Sequence, residues 1–275
     1  WVSYADIAQL TGAKPIIVTC DISQQFKITP SQLEESITDA TKLVFLNSPS
    51  NPTGAVYSKD ELRSLADILL KHPHVYIGTD DIYEHINLGD NPFYNILMVE
   101  PKLKDRVIVL NGVSKAYSMT GWRIGFAAGP KEIISAMSKL QSQSTSNPTS
   151  ISQVAAEAAL RGNRDCIIPM VKAFKERHEY VLDALNDING VKCIPAEGAF
   201  YAFCDAHEAI DQLYESRKID QKNDLAFADY LLESQGVAVV PGSAFGLDGY
   251  FRISFATSMD NLVEAIKRIK KAIEG

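Results

Sequence analysis

The chain has 275 residues, enough for one large domain or two modest ones, and its 46% hydrophobic and 22% charged residues are typical of a globular protein. The formal net charge of −7, from 27 basic and 34 acidic residues, argues against a nucleic-acid binder, which needs a basic face. No uncharged apolar run is long enough to cross a bilayer, so we expect no membrane segment. The four cysteines (20, 166, 193 and 204) lack CxxC spacing, which predicts free thiols in a reducing, cytoplasmic compartment.

The first half of the chain alternates short apolar runs with helical patterns. The runs that predict strands are KPIIVTC, KLVFLN, HVYIGTDD, RVIVLNG and IGFAAG. Between the second and third, SKDELRSLADILLKH has leucines at 62, 65 and 69 and an acidic first turn, which predicts an amphipathic helix capped by Ser58. Strands that alternate with helices predict a mostly parallel sheet, with ligands beyond the carboxyl ends of its strands.

The pattern changes after about residue 150. ISQVAAEAALRG and residues 169–185 predict helices, and further helices are expected near 224–235 and 259–273. Short strand patterns occur in VKCIP, AFYAFCD, VAVVPG and YFRISFA, and the charged segment ESRKIDQKND predicts an exposed loop. We therefore predict a large α/β domain over residues 1–165 and a smaller α+β domain over residues 166–275.

The segment NGVSKAYSMTGWRIGFAAGP places Lys115 just after a predicted strand, with Arg123 eight residues later. Desolvation or nearby cations can lower the pKa of a lysine enough for its amine to form an imine with a carbonyl group. Arg123 has the donor geometry that suits a phosphate, and the surrounding glycines let the backbone approach a ligand. A single lysine at such a position is more often a surface residue, so the hypothesis depends on these neighbours.

Other polar groups follow neighbouring predicted strands. Asp80 follows HVYIG, at the end of a predicted buried strand, where an unpaired carboxylate is costly. Its partner is either a pyridinium nitrogen or a basic side chain, and Tyr83 adds a phenol nearby. The two prolines of NSPSNPTG restrict its backbone, so it is either a plain turn or a rigid frame that directs the Asn51 amide toward a ligand. A cis peptide bond between Asn51 and Pro52 is a further hypothesis.

Together, NSPSNPTG, TDDIYEHI, SKAYSMTGWRIGFAAGP, GAFYAF and YFRISFA resemble the class I and II aminotransferases, which are pyridoxal-phosphate enzymes of fold type I. These stretches span nearly the whole chain, and the likeness is greatest to bacterial aspartate aminotransferases and their prephenate-using relatives. The resemblance implies an α/β fold, with a mostly parallel mixed sheet flanked by helices and a smaller C-terminal α+β domain. It also implies a homodimer that transfers an amino group between aspartate or glutamate and a 2-oxo acid.

The resemblance assigns roles to individual residues. Lys115 matches the lysine that forms an imine with pyridoxal 5'-phosphate and later moves the proton of the substrate α-carbon. Asp80 matches the partner of the pyridine nitrogen, and Asn51 and Tyr83 match the residues that hydrogen-bond the phenolic oxygen. Arg123 matches a phosphate ligand, and Arg252 matches the ligand of the substrate α-carboxylate. Trp1 matches an aromatic residue that stacks on the pyridine ring.

Two features depart from the family pattern. The phosphate-binding hydroxyl of many relatives lies three residues before the lysine, where this chain has Gly112, so Ser114 either contacts the phosphate or only shapes the turn. Family members also have a long segment before the stacking aromatic, whereas this chain begins at Trp1. We expect an N-terminal segment to be missing and the function to belong to the full-length protein. The alternative is that Trp1 is an ordinary exposed or core tryptophan with no cofactor contact.

Other functions stay open. A prephenate or aromatic aminotransferase, or a pyridoxal-phosphate β-lyase, would keep the cofactor and change the residues that read the substrate side chain. A ligand-sensing domain of a transcription regulator would carry a helix-turn-helix ahead of Trp1, but the acidic charge disfavours it. An inactive homologue is disfavoured by Lys115, Asp80 and Arg252. We predict no metal site, because the histidines of KHPHV lack a third ligand.

Overall fold

The computed structural model describes residues 1–275, which divide into two compact units. The parallel-sheet unit consists of residues 29–50 and 56–171, and the antiparallel-sheet unit consists of residues 1–28, 51–55 and 172–275. None of the helices has the length and apolar character that a membrane span requires. A domain boundary between residues 165 and 166 remains a proposal.

The helices and strands are numbered along the chain. The helices are α1 (Ser3–Leu10), α2 (Pro30–Ser36), α3 (Lys59–Lys71), α4 (Ile96–Val99), α5 (Lys131–Ser144), α6 (Ser150–Arg161), α7 (Ile167–Asn186), α8 (His207–Glu215), α9 (Asp224–Gln235) and α10 (Met259–Glu274). The strands are β1 (Leu43–Asn47), β2 (Tyr76–Asp80), β3 (Val107–Gly112), β4 (Gly125–Ala128), β5 (Lys192–Cys193), β6 (Tyr201–Asp205), β7 (Val240–Pro241) and β8 (Tyr250–Ser254). These bounds confirm most of the predicted elements, including an irregular loop between α8 and α9.

The sheet of the parallel-sheet unit has the order β1-β2-β3-β4. Strands β1, β2 and β3 run parallel, and β4 pairs antiparallel to β3, so the predicted mostly parallel mixed sheet is confirmed. Since parallel neighbours end at the same edge, Asn47 and Asp80 lie opposite each other at the carboxyl ends of β1 and β2.

Helix α3 forms the crossover between β1 and β2, and its sequence explains both its start and its buried face. The Ser58 hydroxyl accepts a hydrogen bond from the Glu61 amide, and the Glu61 side chain accepts one from the Ser58 amide, so the predicted cap is confirmed. The leucines at 62, 65 and 69 are at most 2% exposed. Burying each of them contributes about 1.5–3 kcal/mol, which holds the helix against its unit.

The antiparallel-sheet unit contains a four-stranded sheet of order β5-β6-β8-β7, in which every neighbouring pair is antiparallel. Helices α8, α9 and α10 belong to the same unit, and α10 contacts both α8 and α9. Phenylalanines fill its core, and three of them are fully buried: Phe227, Phe251 and Phe255. The predicted α+β character of the C-terminal part is therefore confirmed.

The predicted strand over KPIIVTC was wrong. Residues 14–20 form neither helix nor strand, and Ile16 and Ile17 are 62% and 61% exposed. An apolar run becomes a strand only where a neighbouring strand takes up its backbone hydrogen bonds, and no strand of this chain pairs with this segment. The local pattern alone therefore did not determine its structure.

The hypothesis of a cis bond before Pro52 was also wrong. The cis peptide bond in this segment is Ser48–Pro49, and the chain contains no other. Both bonds precede a proline, where the cis and trans forms differ little in free energy, so the sequence could not distinguish the two positions.

Candidate active site

The carboxyl ends of β1 and β2 hold the carboxylate of Asp80 in a fixed position. The side-chain nitrogen of Asn47 donates to the backbone oxygen of Asp80 over 3.0 Å, and the backbone amide of Ile82 donates to the Asp80 carboxylate over 3.1 Å. Asp80 is only partly buried, at the last position of β2. The strand end therefore presents a partly solvated carboxylate whose direction is set by neighbouring backbone.

Lys115 follows the end of β3, and its ammonium lies against an aromatic ring of the same unit. The Nζ atom is 5.8 Å from the centre of the Tyr83 ring, a cation–π distance, and Tyr83 is 3% exposed. The backbone oxygen of Lys115 accepts a hydrogen bond from the Ser118 amide over 3.2 Å, which tightens the turn after the lysine. The structure therefore brings together two of the residues that the sequence singled out.

Ser114 and Arg123 lie in the same unit but differ in exposure. Ser114 is half-buried beside Lys115, whereas Arg123 is exposed. Arg123 has φ of 56° and donates from Nη1 to the Thr120 backbone oxygen over 2.7 Å. This bond holds the guanidinium close to its own turn, and its predicted role as a phosphate ligand remains a prediction, as does that of Ser114.

In the antiparallel-sheet unit, Arg252 of β8 is held by Asn51 and two aromatic rings. Its Nη1 donates to Asn51 Oδ1 over 2.7 Å, and Asn51 is 9% exposed. Its Cζ lies 4.4 Å from the centre of the Tyr201 ring and 5.2 Å from that of Phe245. Aromatic contacts fix the plane of a guanidinium, whose edge then makes the directed hydrogen bonds. Sequence reasoning did not identify Tyr201 and Phe245 as supports for Arg252.

The turn after Asn51 is held by close contacts. The sequence predicted this segment as either a plain turn or a rigid frame for the Asn51 amide, and these contacts are what a rigid frame requires. Gly54 has φ of +69°, and a Cβ atom there would lie 2.4 Å from the Ala196 Cβ, so only glycine fits. The Gly54 carbonyl accepts hydrogen bonds from the amides of Glu197 and Gly198, over 3.0 and 2.9 Å. These contacts fix the turn that follows Asn51.

Trp1 also contacts this segment. Its backbone nitrogen donates to the backbone oxygen of Asn51 over 2.9 Å. The indole ring packs edge-on against Tyr4, with 5.4 Å between ring centres and 85° between planes, and Trp1 is 51% exposed. The predicted stacking of this ring on a cofactor remains a prediction.

Sequence reasoning missed Asp81, the neighbour of Asp80. Asp81 is 2% exposed and accepts hydrogen bonds from Thr79 Oγ1 and Asn95 Nδ2, both over 2.6 Å. Burial raises its pKa to about 6, although these two hydrogen bonds act in the opposite direction. Since Asn95 also caps α4, Asp81 joins the end of β2 to that helix. The two successive acidic residues after an apolar run were the available signal.

Asp81→Asn tests this buried carboxyl. Because the folded-state pKa of about 6 lies above the usual 3.8, the folded protein binds more protons than the unfolded chain between these values. Stability from this group is therefore present at low pH and lost as pH rises through about 6. We expect the variant to exceed the wild type in unfolding free energy by about 2 kcal/mol at pH 8 and to lose this advantage near pH 4.

The measurement is urea unfolding of both proteins at several pH values, and the control is Asp39→Asn. Asp39 is exposed in the same unit, so its substitution should leave the pH dependence unchanged. A difference between Asp81→Asn and wild type that does not vary with pH would contradict the assignment.

Comparison with known proteins identifies the family. The sequence profile described as aminotransferase class I and II matches residues 1–269. The chain belongs to this family. This aminotransferase chain is 55% identical over 269 residues to an aspartate/prephenate aminotransferase of Nitrosomonas europaea, covering 98% of this chain and 68% of the relative. It is 50% identical over 272 residues to an aspartate aminotransferase of Rhizobium meliloti, covering 99% of this chain and 66% of that protein.

Solved structures of aminotransferases have the same fold. The aspartate aminotransferase of Rhizobium meliloti superposes with a TM-score of 0.94 at 47% identity, covering 100% of this chain and 68% of that one. An aromatic aminotransferase of Pyrococcus horikoshii gives a TM-score of 0.91 at 35% identity, covering 100% and 71%. The predicted fold type I architecture is thus confirmed. The chain spans about two thirds of the length of the curated relatives it matches.

Proposed function

We propose that this protein transfers the amino group of aspartate or glutamate to a 2-oxo acid, using bound pyridoxal 5'-phosphate. The observation that carries the proposal is the ammonium of Lys115, 5.8 Å from the Tyr83 ring at the carboxyl edge of the parallel strands, in a chain of this family. Because the chain spans about two thirds of its relatives, the proposal concerns the complete gene product.

The residues of the parallel-sheet unit fit the chemical groups of pyridoxal phosphate. Asp80 offers a carboxylate for a protonated pyridine nitrogen, and Tyr83 offers a phenol for the phenolic oxygen. Lys115 offers an amine for the aldehyde. Arg123 offers an exposed guanidinium for the phosphate, and the Ser114 hydroxyl is a second donor. When bound, the cofactor supplies an electron sink for breaking bonds at the substrate α-carbon.

The side chains of this protein then perform the steps that bind the substrate and move its proton. Lys115 would hold the cofactor through its Nζ, and the same nitrogen would accept the proton of the substrate α-carbon. The carboxylate of Asp80 would pair with the ring nitrogen of the cofactor and favour its protonated form. The Tyr83 ring lies beside this nitrogen of Lys115, with its centre 5.8 Å from Nζ.

The antiparallel-sheet unit supplies the residues proposed for the substrate carboxylate. Arg252 binds the α-carboxylate by two parallel hydrogen bonds, since its plane is already fixed by Tyr201 and its Nη1 by Asn51. The family pattern would also give the side-chain amide of Asn51 the phenolic oxygen of the cofactor, and Trp1 the face of its pyridine ring.

A second acceptor, prephenate, is favoured by the similarity to the Nitrosomonas europaea relative, an aspartate/prephenate aminotransferase. Transfer to prephenate would use the same Lys115 and Arg252 and differ only in the residues that contact the substrate side chain. No such name favours a β-lyase or a transcription regulator among the relatives described above. We further propose that the protein acts as a cytoplasmic homodimer.

The test is a visible spectrum and a transfer assay with the complete gene product and added pyridoxal phosphate. We expect a yellow species that borohydride fixes to Lys115, as peptide mapping would show, and that aspartate bleaches. Product formation from 2-oxoglutarate, and separately from prephenate, identifies the acceptor. A protein that binds the cofactor at Lys115 but transfers no amino group from aspartate or glutamate would contradict the proposed reaction.

A further inference from the structure

Two buried cysteines face each other in the antiparallel-sheet unit. Cys193 of β5 pairs directly with Cys204 of β6 in the antiparallel register. Cys193 is 5% exposed and Cys204 is fully buried, and both are free thiols. Directly opposite residues of paired strands point to the same face of the sheet, so the two sulfur atoms lie on one side.

The hydrogen bonds of Asn186 determine which kind of cross-strand pair this is. Its side-chain oxygen accepts from the Cys193 amide over 2.9 Å, and its side-chain nitrogen donates to the Cys193 carbonyl over 3.0 Å. Both backbone groups of Cys193 are thus directed to Asn186 at the end of α7, and its amide is not donated to β6. Cys193 and Cys204 are therefore a non-hydrogen-bonded pair.

Such pairs are the closer of the two antiparallel kinds, with Cα atoms about 4.5 Å apart. Disulfides bridge residues whose Cα atoms are about 4.4–6.8 Å apart, so this pair can be joined with little backbone movement. The two thiols are already close enough to interact. The pKa of Cys204 is raised well above the usual range. Burial is the largest cause, and the neighbouring thiol of Cys193 is the second.

We propose that Cys193 and Cys204 form a redox site, in which peroxide converts the two thiols into an intramolecular disulfide. One thiol is oxidised by hydrogen peroxide to a sulfenic acid, releasing one water. The second sulfur then displaces the hydroxyl from the first, the S–S bond forms, and a second water leaves with the proton of the second thiol. The two thiols lose two electrons in total, and one peroxide is reduced to two waters.

The position of Cys193 explains how a small oxidant reaches a buried pair. Strand β5 has only two residues and lies at the edge of its sheet, so local opening of this strand exposes Cys193 at low cost. Cys204 lies on β6, which is covered on both edges by β5 and β8. Cys193 is therefore the thiol that reacts first, and Cys204 is the one that closes the bond.

The disulfide would close the segment between β5 and β6 into a ring. This segment donates the amides of Glu197 and Gly198 to the Gly54 carbonyl, and β6 begins at Tyr201, the ring beneath Arg252. Oxidation thus stabilises the base of the hairpin that supports Asn51 and Arg252. This inference does not depend on the proposed reaction, because it concerns thiols outside the residues assigned to it.

The test uses the variant Cys20→Ser/Cys166→Ser, which leaves the facing pair as the cysteines of residues 1–275. After treatment with hydrogen peroxide and blocking of remaining thiols, we expect an unreduced digest to contain one peptide pair joined through Cys193 and Cys204. We also expect the thiol count to fall by two per chain and Tm to rise by about 5 °C, because the closed segment constrains the unfolded chain. Reduction with dithiothreitol should reverse both changes.

The matched control adds Cys193→Ser to that variant, and it should give no linked peptide and no rise in Tm. Should it fail to fold, Cys204→Ala in the same background serves the same purpose. The proposal is overturned if both thiols survive a treatment that oxidises the exposed Cys166 of the wild type. It is equally overturned if Cys193 is oxidised to a sulfinic acid without joining Cys204, or if links form only between separate chains.

Discussion

Lys115→Ala abolishes covalent capture of pyridoxal phosphate, and we expect it to lower the rate of transamination by at least about 10⁴-fold. The substitution removes the amine that anchors the cofactor and also the base that moves the α-proton, while alanine keeps the backbone of the turn. The folded structure should survive, because Lys115 is only partly buried. The measurements are the absorption spectrum with added cofactor, borohydride labelling, and single-turnover transfer from aspartate.

Lys59→Ala is a closely matched control for this prediction. The Nζ of Lys59 lies 5.8 Å from the centre of the Tyr94 ring, the same distance that separates Lys115 from the Tyr83 ring. Both lysines belong to the parallel-sheet unit, so the pair separates loss of a cation–π contact from loss of the reacting amine. We expect Lys59→Ala to keep the spectrum and the rate. Borohydride labelling that persists in Lys115→Ala would remove this lysine from the proposed chemistry.

Arg252→Lys should lower kcat/KM for aspartate by about 100-fold, mainly through a higher KM. Lysine keeps the positive charge but replaces a planar pair of donors by a single point charge, so the substrate α-carboxylate loses its bidentate partner. The variant also removes the Nη1 bond to Asn51 Oδ1 and the stacking on Tyr201. The measurement is steady-state kinetics with aspartate, together with spectroscopic titration of the bound cofactor by the amino acid.

Arg268→Lys is the control for Arg252. Arg268 lies on the surface of α10 in the same unit, where its Nε pairs with Glu264 over 2.7 Å. An exposed pair of this kind contributes little to stability, so its replacement should change neither KM nor kcat. If Arg252→Lys bound aspartate as tightly as Arg268→Lys did, the substrate carboxylate would have to bind elsewhere.

The local sequence predicted those elements whose signals lie within one segment. The start and the buried face of α3 followed from Ser58, an acidic first turn and the spacing of three leucines, because a cap and an apolar stripe are properties of consecutive residues. The strand ends that carry Asp80 and Lys115 followed in the same way from short apolar runs. The motifs around them were specific enough to identify the family, since each motif is a contiguous stretch whose order along the chain is also fixed.

Contacts between distant parts of the chain decided the rest. Arg252 and Asn51 are 201 residues apart in sequence, and nothing within either motif predicts their hydrogen bond. Asp80 and Asp81 are adjacent acidic residues, yet only the second is buried, because Asn95 and Thr79 enclose its carboxyl group.

The sequence by itself thus determined which side chains are available and those helices and strands whose signals lie within one segment, because caps, apolar periodicity and motif order are local properties. Only the tertiary structure decided that KPIIVTC stays irregular for lack of a paired strand, and that Cys193 faces Cys204 as a non-hydrogen-bonded pair. Strand pairing, register and burial depend on residues far apart in the chain, and their free energies appear only when those residues meet.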